Sequence, residues 1–97
     1  MKNKRNKGRA YVWLLFFCYI VPMKLILLTP PDFFVEEDKI LTALFEEGLD
    51  LLHLRKPDTE PVYSERLLTL LPESHHNQIV VHDHFYLKEE FNLRGIH

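Results

Sequence analysis

Ninety-seven residues suffice for one small domain and no more. Residues 1–23 carry five Lys/Arg and no acid, whereas residues 24–97 hold seven Lys/Arg against fourteen Asp/Glu, a net of −7. An acidic main body lacks the basic face that non-specific nucleic-acid binding requires, so no nucleic-acid partner is expected, and the single Cys18 excludes an internal disulfide.

The chain opens with Lys2, Lys4, Arg5, Lys7 and Arg9, followed by an uncharged apolar run over residues 10–21. That is the layout of a secretory leader, yet no small-x-small cleavage site follows it. The run is also shorter than the roughly 17–25 residues of a membrane-spanning helix. Met23 stands directly before what reads as the first strand of an α/β domain. Residues 1–22 are therefore expected to lie outside the fold, with translation starting at Met23 and a cytoplasmic protein resulting. Membrane association through residues 10–21 is expected only if residues 1–22 belong to the working protein.

Leu25-Ile26-Leu27-Leu28 is a short continuous apolar run, suited to a strand covered on both faces. Pro30-Pro31-Asp32 breaks it. The acids Glu36-Glu37-Asp38 then suit a helix N-terminus better than catalytic carboxylates, and Ile40, Leu41, Leu44 and Phe45 recur at helical spacing. Phe33 and Phe34 in the preceding loop could line a pocket or anchor that loop on the core. Gly48 is placed to stop the helix.

The next stretch, Gly48-Leu-Asp-Leu-Leu-His-Leu-Arg-Lys-Pro57, reads as a buried strand over 49–55 that turns cationic at its carboxyl end. His53 and Arg55 lie two residues apart and so share a face. A guanidinium on a buried strand needs an anion or a carboxylate, so the alternatives are a phosphorylated ligand and an internal ion pair.

Asp58 or Thr59 can cap a second helix with Pro61 in its first turn, and Leu67, Leu68, Leu70 and Leu71 as its apolar face. Pro72 ends it, and Glu73–Asn77 form a polar link. Gln78-Ile-Val-Val-His82 is a β-branched third strand, Tyr86–Phe91 a short helix, and Gly95-Ile96-His97 begins a fourth strand. Glu46-Glu47 and Glu89-Glu90 are expected on solvated helix faces. Strand–helix alternation with buried strands predicts a parallel sheet whose ligand site lies at the carboxyl ends of the strands. Those ends carry Thr29, then His53, Arg55 and Lys56, then His82, Asp83 and His84, then His97. A zinc site built on His82, His84, His75 and His76 is disfavoured, because the last two fall at the opposite rim and four ligands do not converge.

In order, the Leu-His-Leu-Arg-Lys, Ile-Val-Val-His-Asp and Arg-Gly-Ile-His strand ends resemble the N-terminal half of the thiamine phosphate synthase/TenI family, over residues 23–97. The resemblance implies the N-terminal portion of a (β/α)8 barrel, about three and a half βα units, preceded by the hydrophobic leader. In that family the second strand ends in Gln-x-Arg-x-Lys and grips a pyrophosphate, and the third ends in Asn-Asp, whose Asp helps hold Mg²⁺. Arg55 matches the arginine and Asp83 the metal-associated aspartate. His53 replaces the glutamine, His82 the asparagine, and Pro57 the lysine, with Lys56 one residue early.

The implied reaction joins hydroxymethylpyrimidine diphosphate to a thiazole phosphate and releases pyrophosphate. Arg55, Lys56, His53 and His82 would bind these phosphorylated pyrimidine and thiazole partners, and Asp83 the Mg²⁺. The alternatives are a TenI-like thiazole tautomerase, with His53 and His82 as catalytic acid and base, and a non-catalytic half barrel that binds a phosphorylated ligand. A whole barrel needs about 200–250 residues. The 97-residue chain is accordingly expected to be a truncated, inactive portion whose open sheet edges favour self-association.

Overall fold

The computed structural model describes residues 17–21 and 24–97. Five strands form one sheet in chain order: β1 (Phe17–Val21), β2 (Lys24–Leu28), β3 (Leu51–Leu54), β4 (Ile79–Val81) and β5 (Gly95–Ile96). β2 to β5 run parallel, joined by α1 (Glu37–Glu46), by α2 (Pro61–Leu70) with a 3₁₀ segment (Glu73–Gln78), and by α3 (Leu87–Phe91). The three strand–helix–strand units expected from the sequence are present.

Strand register explains where the core sits. Leu27, Leu52 and Ile79 lie side by side across β2, β3 and β4, and Leu54 pairs with Val81. All five are buried and meet Leu41, Leu44 and Phe45 of α1, Leu67 and Leu68 of α2, and Leu87 of α3 in one cluster. The opposite phase brings Leu28, His53, Val80 and Gly95 into a row that is only half-buried. Among the described residues, helices thus cover one face of the sheet rather than both. Alternate residues belong to different layers, so a leucine-rich strand is not uniformly enclosed.

The helix boundaries follow local chemistry with three departures. Gly48 stops α1 at φ 113, its N–H donating to the Phe45 carbonyl, a conformation that costs side-chain-bearing residues heavily. Neither Asp58 nor Thr59 caps α2; its N-cap is Glu60, without a side-chain hydrogen bond. The Thr59 hydroxyl donates instead to the Lys56 carbonyl, 2.6 Å away. Leu70 is 62% exposed, because the inward stripe of α2 runs through Ser64, Leu67 and Leu68 and on to Leu71, the i, i+3, i+4, i+7 spacing of one helix face. The link after Pro72, expected only to be polar, forms 3₁₀ turns that seat a buried His76, whose ring meets the carbonyl oxygens of Leu68, Leu71 and Phe91.

One strand lies in the apolar run read as a leader. Phe17–Val21 pair antiparallel with β2, from Phe17 opposite Leu28 to Val21 opposite Lys24. The pairing occupies the edge of β2 that faces away from β3, where unpaired N–H and C=O groups would otherwise be exposed. Residues 1–16, 22 and 23 lie outside the described residues, and with them the expectations for Met23 and the basic N-terminus.

Candidate functional site

The carboxyl rim of the parallel sheet gathers the polar strand ends. Three backbone bonds carry the ladder past the strands: Thr29 N–H to the His53 carbonyl, His82 N–H to Leu54, and His97 N–H to Val81. His53, His82 and His97 therefore lie on the face away from the helices, His53 and His82 half-buried and His97 exposed.

Their imidazoles meet. His53 Nδ1 and His82 Nε2 are 2.7 Å apart, so one must donate and the other accept. His97 stacks on His82 at 4.3 Å with 5° between the ring planes, and its centroid lies 5.7 Å from that of His53. Burial, helped by the neighbouring His97, pulls His53 below the ordinary histidine value. Burial likewise lowers His82, reinforced by His97, His53 and Arg55 and opposed by Asp83. The pair is thus held towards the uncharged form, in which each ring offers one donor and one acceptor.

Arg55 is exposed at the same rim, and among the described residues its guanidinium makes no ion pair. Its backbone, by contrast, is clamped. The Thr29 hydroxyl accepts from Arg55 N–H at 3.0 Å and donates to the Arg55 carbonyl at 3.1 Å. The main chain is fixed while the cationic head stays available, and the internal ion pair considered for Arg55 is not formed among the described residues.

Lys56 is a correction to the expected binding set. Its side chain is 1% exposed and turned inward. The ammonium donates to the carbonyls of Pro30 (2.9 Å) and Asp32 (2.7 Å) and to Glu37 Oε2 (2.6 Å). It also lies 4.6 Å from the centre of the Phe33 ring. Three donors are all an ammonium has, so none remains for a ligand. The opposite direction of adjacent strand residues sends Lys56 into the helix layer while Arg55 faces the rim. Burial raises Glu37 and lowers Lys56, and their mutual attraction opposes both shifts without cancelling them.

Asp83 stands beside this junction, with Oδ2 accepting from Lys56 N–H at 3.0 Å. Among the described residues no three His, Cys, Asp or Glu side chains assemble as a metal-ligand set. His84, at φ 54, donates from Nε2 to the Thr59 carbonyl. His75 stacks on Phe45 at 4.6 Å and donates to Gln78, next to the buried His76 at the amino rim. His75, His76 and His84 are therefore engaged in contacts within the fold, apart from the rim pair His53 and His82.

Sequence reasoning found His53, His82, Arg55 and Asp83 on one rim, but missed Glu37 as a partner of Lys56. Nothing local distinguishes Glu37 from Glu36 and Asp38; only the packing of the first loop against β3 selects it. Among the described residues no helix is long and apolar enough to cross a membrane.

No protein-family model matches the chain, and no curated protein matches it. Among solved structures, it is similar to the crystal structure of a thiamine phosphate pyrophosphorylase from Bacteroides thetaiotaomicron, with 76% sequence identity and a TM-score of 0.76. That match covers 77% of this chain, and the chain spans 38% of the length of that protein. Motif order, parallel topology and this identity agree: the strand–helix units described here are the N-terminal portion of a (β/α)8 barrel of the thiamine phosphate synthase family.

Proposed function

We propose that the rim holds the diphosphate of a phosphorylated pyrimidine in thiamine biosynthesis, within a thiamine-phosphate-synthase-type reaction that joins the pyrimidine to a thiazole phosphate and releases pyrophosphate. The observation that carries this reading is Arg55: its backbone is clamped by Thr29, while its exposed guanidinium has no carboxylate partner among the described residues. A planar fork held at a strand end suits two phosphate oxygens. His53 and His82, held largely uncharged, add hydrogen-bond donors beside it without a fixed second charge. As pyrophosphate leaves, negative charge grows on its oxygens, and donors already in place stabilise it more than donors that must reorganise.

A Mg²⁺ ion fits this site in a limited way. Mg²⁺ keeps several waters and is commonly held by one or two carboxylates together with substrate phosphates. Asp83 can supply one such carboxylate, although its Oδ2 also accepts from Lys56 N–H. The ion would neutralise charge on the departing diphosphate. A cytoplasmic setting accords with such a pathway of small phosphorylated intermediates.

The short contact between His53 and His82 favours a second reading, a TenI-like tautomerase. Two neutral imidazoles sharing one hydrogen bond can accept a proton at one ring and deliver it from the other. Titrating inorganic pyrophosphate, with and without Mg²⁺, into ¹⁵N-labelled protein tests the first reading. Saturable shifts at the Arg55 Nε–H and the His53 and His82 rings are expected, and Arg55→Ala should remove them. Shifts that persist in Arg55→Ala would overturn this reading.

A further inference from the structure

Burying an ion pair is expensive, and a small domain has apolar alternatives for every core position. Lys56 and Glu37 are nevertheless 1% and 2% exposed and 2.6 Å apart. Glu37 Oε1 is also buried, with no partner among the described residues. The pair is therefore a poor device for stability alone. Its geometry suggests another use.

Residue 56 is where three segments meet. Its ammonium holds the loop after β2 through the Pro30 and Asp32 carbonyls and holds the first turn of α1 through Glu37. Its backbone N–H holds Asp83 Oδ2 beyond β4. Thr29, next to that loop, clamps Arg55. The loop, the Arg55 backbone and the Asp83 carboxylate are thus fixed relative to one another through one buried cation.

We propose that Lys56 and Glu37 are positioning residues: their buried contact fixes the ends of β2, β3 and β4 so that Arg55 and Asp83 face one diphosphate-sized ligand. This rests on the diphosphate reading for the ligand, but not for the positioning itself. An apolar pair of similar volume would fill the space, yet it would release the two loop carbonyls from their shared donor. The Asp83 contact would loosen with them, because the residue 56 backbone would no longer be tethered to the loop.

Amide hydrogen exchange and pyrophosphate binding test this separately. In Glu37→Gln, and in the Lys56→Met/Glu37→Leu double variant, exchange of the Lys56 and Arg55 amides should rise on the order of tenfold or more. The His82 and Thr29 amides, bonded within the strand ladder, should keep their rates. Affinity for inorganic pyrophosphate should fall about 10–100-fold in the same variants, the usual range for groups that orient ligand-binding residues. Unchanged exchange at residues 55 and 56 would overturn the positioning role. So would loss of the fold in both variants, because the pair would then be structural. If the unaltered protein takes up no pyrophosphate, the functional reading fails while the exchange rates still decide the positioning role.

Discussion

At the scale of single residues, the rim separates a charge that serves the fold from one that has no ion-pair partner among the described residues. Lys56 and Arg55 are neighbours of the same sign, yet one has exhausted its donors internally and the other has no ion-pair partner among the described residues. Arg55→Lys should therefore bind pyrophosphate at least about tenfold more weakly in a calorimetric titration, because a point charge cannot reproduce two parallel hydrogen bonds. Lys56→Met should instead lower stability, by about 3–5 kcal/mol in urea unfolding, since it strands the buried Glu37 carboxylate. The Lys56→Met/Glu37→Leu double variant should recover most of that loss.

The histidines give a pH dependence. His53 and His82 titrate below the ordinary value of 6.5 in the folded protein, chiefly through burial. Between their folded values and 6.5 the unfolded chain binds more protons, so stability rises with pH across that window. Their contribution is fully present above pH 6.5 and is lost as pH falls through the window. Thermal unfolding at pH 5 and 7.5 should show this, and His53→Gln should narrow the difference. An unchanged difference would assign the pH dependence to other groups.

At the scale of elements, the strands and helices are held by register and by a few local stops. Leu52 is fully buried between Leu27 and Ile79. Leu52→Ala should cost about 2–5 kcal/mol, the usual loss for a leucine truncated in a core. Gly48 ends α1 at φ 113, where a Cβ would meet nothing within 4 Å. Gly48→Ala should thus cost about 1–3 kcal/mol through backbone strain alone, read as a lower Tm. A helix end is legible in sequence when a single residue decides it, as Gly48 and Pro72 do. It is less legible where side chains have better partners elsewhere: Thr59 bonds the Lys56 carbonyl rather than capping α2.

At the scale of the whole molecule, one face of the sheet carries the described helices and the core, and the other carries the histidine row. β1 guards the outer edge of β2 along five paired positions. Deleting residues 1–21 should expose that edge and increase self-association in sedimentation velocity at raised concentration. An unchanged monomer–oligomer distribution would show that the edge is protected by other means.

Much of this was decided by the sequence alone. Apolar periodicity, Gly48, Pro72 and the polar strand ends determined the alternation of strands and helices and the gathering of His53, Arg55, His82 and Asp83 on one rim, because these depend on local spacing and on the direction of parallel strands. The tertiary structure decided what each rim residue can do. Whether Lys56 meets a ligand or Glu37, whether Arg55 finds a carboxylate, and whether His53 touches His82 all depend on contacts between residues far apart in the chain, 19 positions for Lys56 and Glu37 and 29 for His53 and His82, or on their absence, and spacing along the chain cannot specify such contacts.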